Sequence, residues 1–180
     1  GLVDTVGCQS HRQVARQAVR ESLVLLKNDN LLPLPKNNST VLIAGSKGND
    51  VGALCGGWSI SWQGGLGEMA EGTTIYEGIQ QAIGNENVLF TDNPAQIPDA
   101  GYAVVVVGEN PYAEGAGDLY GHVAGFSLSY EDQQMIQAVE NANIPMVIVL
   151  LSGRPLDITN EIDISDACIA AWLPGTEGGS

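Results

Sequence analysis

Apolar positions along the chain fall into two kinds of run. In the first kind they recur every three or four residues. Val14, Ala18, Val19, Ser22, Leu25 and Leu26 make one such stripe, Ile75, Ile79, Ala82 and Ile83 a second, and Met135, Ile136 and Val139 a third. That spacing puts them on one face of a helix. The second kind is short and unbroken, as in the β-branched run 40–44 (TVLIA) and in 102–107 (YAVVVV), 146–151 and 167–171, and 87–90 reads as a further brief strand. A run apolar at every position suits a strand of parallel sheet that is covered on both faces. Ser10 with Gln13, Thr74 with Glu77, and Ser129 with Asp132 carry the capping signature of a helix start. Helices are therefore predicted over 11–27, after Thr74 and after Ser129. Strands that alternate with helices predict an α/β fold, a three-layer sandwich with a mostly parallel sheet, helices on both faces and right-handed crossovers.

Two stretches break the pattern. Residues 45–72 hold nine glycines and no sustained period, and 108–127 are irregular as well. Both leave the carboxyl end of a predicted strand, where sheets of this flavodoxin-like kind bind ligands. Irregular loops of such length in a compact domain are usually functional. The first loop carries Trp58 and Trp62, two of the three tryptophans, among glycines. A flat indole can present its face to the C–H face of a sugar ring or can plug a loop onto the core; the pair together points to one of them lining a pocket. The second loop places Glu109, Glu114 and Asp118 within ten residues. Hydrolysis of a glycoside needs two carboxyl groups, about 5–5.5 Å apart for retention and wider for inversion. The acid of the pair must keep its proton near neutral pH, which an apolar wall or a neighbouring carboxylate arranges. Spacing alone fits a solvated acidic loop equally well.

Other features carry less. Gly45-Ser46-Lys47-Gly48 hints at a nucleotide loop but completes neither a P-loop nor G-x-G-x-x-G. Arg154, after a predicted strand, reads as half of a structural ion pair at the sheet edge in preference to a ligand contact. Asn37-Asn38-Ser39 and Asn38-Ser39-Thr40 match the glycosylation pattern. Cys8, Cys55 and Cys168 are odd in number and widely spaced, so they read as buried small side chains and not as a zinc or disulfide framework. His11 and His122 are too isolated for a metal centre or a Ser-His-Asp or Cys-His arrangement, and no cofactor is expected.

Composition narrows the classes. The chain has 180 residues, 44% hydrophobic and 16% charged, which suits one core-forming domain and not a disordered segment. Its net charge of −14 repels phosphate backbones and anionic lipid, so neither nucleic acid nor a membrane surface is an expected partner. The apolar runs are far shorter than the ~20 residues of a spanning helix. With no initiator Met, no leader and a Gly-Gly-Ser end, the sequence reads as a piece of a longer polypeptide.

Five blocks give the sequence a family resemblance. They are His11-Arg12-x-x-Ala15-Arg16-x-Ala18-x-x-Glu21-Ser22-Leu23-Val24-Leu25-Leu26-Lys27-Asn28, Gly56-Gly57-Trp58 with Trp62-Gln63-Gly64, Val107-Gly108-Glu109-x-Pro111-Tyr112-Ala113-Glu114, Ser152-Gly153-Arg154-Pro155, and Trp172-Leu173-Pro174-Gly175-Thr176-Glu177-Gly178. In this order they resemble the second domain of glycoside hydrolase family 3, in its exo-β-glucanase and β-glucosidase branch. The resemblance implies an α/β sandwich over 10–180, cut before its last elements, after a linker at 1–9 from an N-terminal (β/α)8-type barrel that carries an Asp nucleophile. It implies that Glu114 is the general acid/base, that Trp62 is one jaw of an aromatic clamp on the +1 sugar, and that Trp58 supports it. The substrates implied are β-linked glucosides or gluco-oligosaccharides, and the implied location is periplasmic or secreted. Without the barrel, the expectation is a domain that does not hydrolyse glycosides alone. The alternatives are a non-catalytic carbohydrate-binding or interaction module built on Trp58 and Trp62, and a nucleotide-binding domain.

Overall fold

The computed structural model describes residues 1–36, 39–119 and 126–180. Its strands are β1 (Val24–Asn28), β2 (Val41–Ala44), β3 (Val88–Thr91), β4 (Tyr102–Gly108), β5 (Met146–Leu151) and β6 (Ala167–Trp172). They form a six-stranded sheet in the order β1-β6-β5-β4-β2-β3. Every pairing is parallel except that of β1 with β6. The helices are α1 (Gln9–Ser22), α2 (Val51–Cys55), α3 (Ile75–Ile83), α4 (Tyr130–Asn141) and α5 (Thr159–Ile164). None of the described helices is long and apolar enough to cross a membrane.

Successive side chains of a strand point to opposite faces, and both faces are buried here. Leu42, Ala44, Val105, Val107 and Ile148 pack under Met135, Ile136 and Val139 of α4, with Ile162 of α5 at the margin. Their neighbours Val41, Ile43, Val104 and Val106 pack against Ala53 and Leu54 of α2 and Ile75 and Ile79 of α3. Each fully buried Val, Leu or Ile contributes about 1.5–3 kcal/mol. This two-sided burial is why β2, β4 and β5 are apolar without alternation, and the predicted α/β sandwich with helices on both faces is the fold observed.

Two of the predicted helix starts are built as read. Thr74 and Glu77 cap reciprocally, with Glu77 N–H donating to Thr74 Oγ1 at 3.1 Å and Thr74 N–H donating to Glu77 Oε2 at 2.9 Å. Asp132 N–H donates to Ser129 Oγ at 3.1 Å. The third is not: α1 starts at Gln9 behind Cys8, with no side-chain cap, and Ser10 lies in its first turn.

Larger departures concern element ends. The helix expected to run to 27 stops at Ser22, and Val24–Asn28 forms edge strand β1, with Leu25 opposite Ile169. The apolar run 23–26 satisfies either period, and the hydrogen bonds offered by β6 decide for a strand. Lys27 Nζ then reaches the carbonyls of Ile162 and Asp163 at 3.0 and 3.3 Å, where a cation complements the C-terminal end of α5. Short α2 lies inside the stretch expected to be loop, capped by Asp50, which accepts from Ala53 N–H at 2.8 Å. Short α5 was not expected either. Of the cysteines only Cys168 is buried, its thiol pushed up to about 11 by burial, whereas Cys8 and Cys55 are half-buried. Asn37, Asn38 and His122 lie outside the described residues, and with them both glycosylation matches.

Candidate active site at the strand switch point

From β2 the chain moves outward to β3, then returns to lay β4 on the other side of β2 and continues to β5. The strand order therefore reverses between β2 and β4, and a crevice opens beyond their carboxyl ends. The two long irregular stretches leave from these two strands, so the topology makes neighbours of segments about fifty residues apart.

The first loop is pinned at its base by Asp50, which also accepts from Gly67 N–H at 2.8 Å. Its tip folds on itself: Trp58 N–H donates to the Trp62 carbonyl at 3.0 Å, and Gly64 N–H to that of Ser61 at 3.1 Å. Trp58 and Ile60 hold φ values of 61° and 63°, a left-handed conformation that costs energy for any side chain and most for a β-branched one. The fold of the tip turns large apolar groups outward. Trp58, Ile60 and Trp62 are 67%, 80% and 54% exposed, and the two indole rings sit 6.4 Å apart at 49°. They do not plug the loop onto the core.

The second loop separates its carboxylates into different roles. Glu109 is held from three sides: Arg154 Nε at 2.9 Å, the Tyr112 hydroxyl at 3.0 Å and Gly153 N–H at 3.0 Å. The Arg154 guanidinium lies 4.4 Å from the Tyr112 ring centroid, and burial pushes the Tyr112 phenol up. The expected ion pair of Arg154 exists, but it ties the ends of β4 and β5 in the middle of the sheet and not at its edge. Glu114 is different. It opens a single 3-10 turn, Glu114–Gly117, with φ +48°, is exposed, and its side chain makes no hydrogen bond or ion pair with the described residues. Asp118 is exposed after it.

The loops meet backbone to backbone. A β-carbon on Gly57 would lie 2.0 Å from the Tyr112 carbonyl oxygen, so only glycine allows the approach. Gln63 Oε1 accepts from Ala113 N–H at 2.9 Å. Trp62 and Glu114 are thus each one residue from the two ends of a single hydrogen bond. A cavity of 560 Å³ lies beside them, lined by Leu66, Glu109, Tyr112, Gly117 and Arg154 among others; neither Trp58, Trp62 nor Glu114 is in its lining. Lys47, the cation of the suspected nucleotide loop, is buried and committed to Asp132, with Nζ 3.2 Å from both carboxylate oxygens. It is not available to a phosphate. Among the described residues no group of His, Cys, Asp or Glu has the arrangement of a metal site. The Arg154–Glu109 ion pair and the Gln63–Ala113 hydrogen bond exist only in the folded molecule; in sequence Gln63 is marked solely by its place in the Trp-Gln-Gly block.

Residues 23–180 match the family model described as the glycosyl hydrolase family 3 C-terminal domain. The chain is 33% identical to the lysosomal beta glucosidase of Dictyostelium discoideum, covering 99% of itself and 24% of that protein. It is 27% identical to the periplasmic beta-glucosidase of Salmonella typhimurium, over 94% of itself and 26% of that protein. Among solved structures, an exo-1,3/1,4-beta-glucanase from a Pseudoalteromonas species superposes with a TM-score of 0.84 at 38% identity, over 96% of this chain and 22% of the other. A mutant beta-glucosidase from Listeria innocua in complex with laminaribiose gives 0.80 at 27% identity, over 97% and 24%. The chain thus spans about a quarter of the length of these relatives. Sheet, switch point, and the two loops across it coincide with this match, and the chain belongs to glycosyl hydrolase family 3, as its C-terminal domain.

Proposed function

We propose that this domain supplies the acid/base half of the active site of a retaining, exo-acting β-glucosidase or β-glucan glucohydrolase. The observation that carries this reading is the placement of Glu114: exposed, without a described partner, and fastened through Gln63 to the loop of Trp62. In the first half-reaction the Glu114 carboxyl group gives its proton to the glycosidic oxygen while an Asp of a preceding barrel domain attacks the anomeric carbon. The aglycone leaves as the alcohol. In the second, the Glu114 carboxylate takes a proton from water as that water displaces the Asp from the same carbon. Trp62 stacks on the +1 sugar and Trp58 backs it. Residues 1–9 link the barrel to the sandwich. The Listeria relatives solved with laminaribiose and with glucose support β-linked glucosides as the substrate class.

A positioned acid contributes about 10²–10⁴-fold, and only with nucleophile and substrate opposite it. The 180-residue chain by itself is therefore inactive in this reading. In the enzyme that carries the barrel, Glu114→Gln reduces kcat/KM on laminaribiose by about 10²-fold or more. It largely spares the glycosylation step of 2,4-dinitrophenyl β-glucoside, whose aglycone leaves unprotonated. Equal losses on both substrates would move the acid to another residue.

The exposure of Trp58 and Trp62 also favours a second reading, a non-catalytic carbohydrate-binding module. Calorimetry of the isolated chain with cello- and laminari-oligosaccharides separates the two. Heat from millimolar or tighter binding supports the module, and silence supports a half-site completed by the barrel.

A further inference from the structure

We propose that Gln63 is a positioning residue for Glu114, an inference that rests on the acid/base reading above. Ala113 is extended at φ −139° and ψ 146°, and the next residue turns to φ +48°. The peptide between them decides where the Glu114 carboxyl group points. Ala113 is only 4% exposed, so its N–H needs an acceptor from the protein, and Gln63 Oε1 provides it at 2.9 Å. The serine hydroxyls of the loop tip bond within their own loop: Ser59 Oγ donates to the Cys55 carbonyl at 3.4 Å and Ser61 Oγ to that of Gly64 at 3.1 Å. Gln63 reaches across. Because Trp62 is its neighbour in the chain, the same bond sets the stacking ring and the proton donor in one register.

Gln63→Met keeps the length of the side chain and removes the acceptor, whereas Gln63→Glu keeps the acceptor. Both are compared in the barrel-bearing enzyme, with Glu114 intact and in the Glu114→Gln background, on laminaribiose and on 2,4-dinitrophenyl β-glucoside. An acid displaced by about an ångström predicts a loss of about 10- to 100-fold for Gln63→Met on laminaribiose. The loss on the dinitrophenyl substrate is much smaller, Gln63→Glu recovers most of the rate, and in the Glu114→Gln background Gln63→Met costs little more. Equal losses on both substrates, multiplicative losses in the double variant, or a Gln63→Glu as slow as Gln63→Met would each overturn the role of Gln63. A Glu114→Gln enzyme that fails to discriminate the substrates overturns the acid assignment instead. Should Gln63→Met not fold, Gln63→Asn, one methylene too short to reach Ala113, is read by the same criteria.

Discussion

At Gly57 the two loops approach backbone to backbone, which sets how the candidate site can be disturbed without touching a functional group. A β-carbon there would meet the Tyr112 carbonyl oxygen at 2.0 Å and the Ala113 β-carbon at 3.2 Å. Both contacts are on the segment that carries Glu114, so Gly57→Ala must push the loops apart. We expect a loss of about 1–3 kcal/mol in denaturant titrations, as for other overpacked sites. In the barrel-bearing enzyme a fall in activity toward unactivated glucosides should accompany it. An unchanged melting curve would mean that the loops are not in contact. At this scale the irregular stretches after apolar strands marked Trp58 and Trp62 and the three carboxylates Glu109, Glu114 and Asp118 as candidates, and only the family resemblance singled out Trp62 and Glu114 among them. The bonds that position them were not. Gln63 to Ala113 spans 50 residues, Glu109 to Gly153 spans 44, and Lys47 to Asp132 spans 85. Such contacts exist only once the strand order is known.

Among the elements, α1 is fastened to the turn that follows β6. Arg12 and Arg16 lie one helical turn apart and donate through Nε to Glu177 Oε1 at 2.6 Å and Oε2 at 2.7 Å. Glu177 is only 3% exposed. Burial pushes its carboxyl group up, but the hydrogen bonds and charges of Arg16 and Arg12 outweigh burial and hold it below the ordinary 4.5. A carboxylate lowered in the folded state stabilises the fold above its unfolded value, and that contribution is lost as pH falls through the folded value. Glu177→Gln weakens two charge-assisted hydrogen bonds to half-buried arginines and should cost about 1–3 kcal/mol near neutral pH. The gap to the parent should narrow as pH falls below about 4.5 in urea titrations; a gap independent of pH would contradict the clamp. The strand β1 beside α1 marks a limit of sequence reading. Residues 23–26 are apolar at every position, and only β6, some 140 residues further on, distinguishes a strand from another turn of helix.

For the molecule as a whole, the two-sided burial of β2, β4 and β5 made the α/β sandwich legible, since strands without alternation need cover on both faces. The five residues of α2 and six of α5 are too few to display a helical period. The reversal of strand order between β2 and β4 brings the loops of Trp62 and Glu114 to one rim, the half-site proposed above. If that rim forms half of a retaining site, removing the Glu114 carboxyl group should leave a glucosyl-enzyme that water attacks slowly for want of a general base. The most direct measurement uses Glu114→Ala in the barrel-bearing enzyme with 2,4-dinitrophenyl β-glucoside and added azide, an anion that attacks the anomeric carbon without needing a proton removed. We predict that azide accelerates turnover of the variant and not of the parent, and that the product is β-glucosyl azide, with the glucosyl-bound Asp released. A variant indifferent to azide, or a product of α configuration, would contradict the assignment.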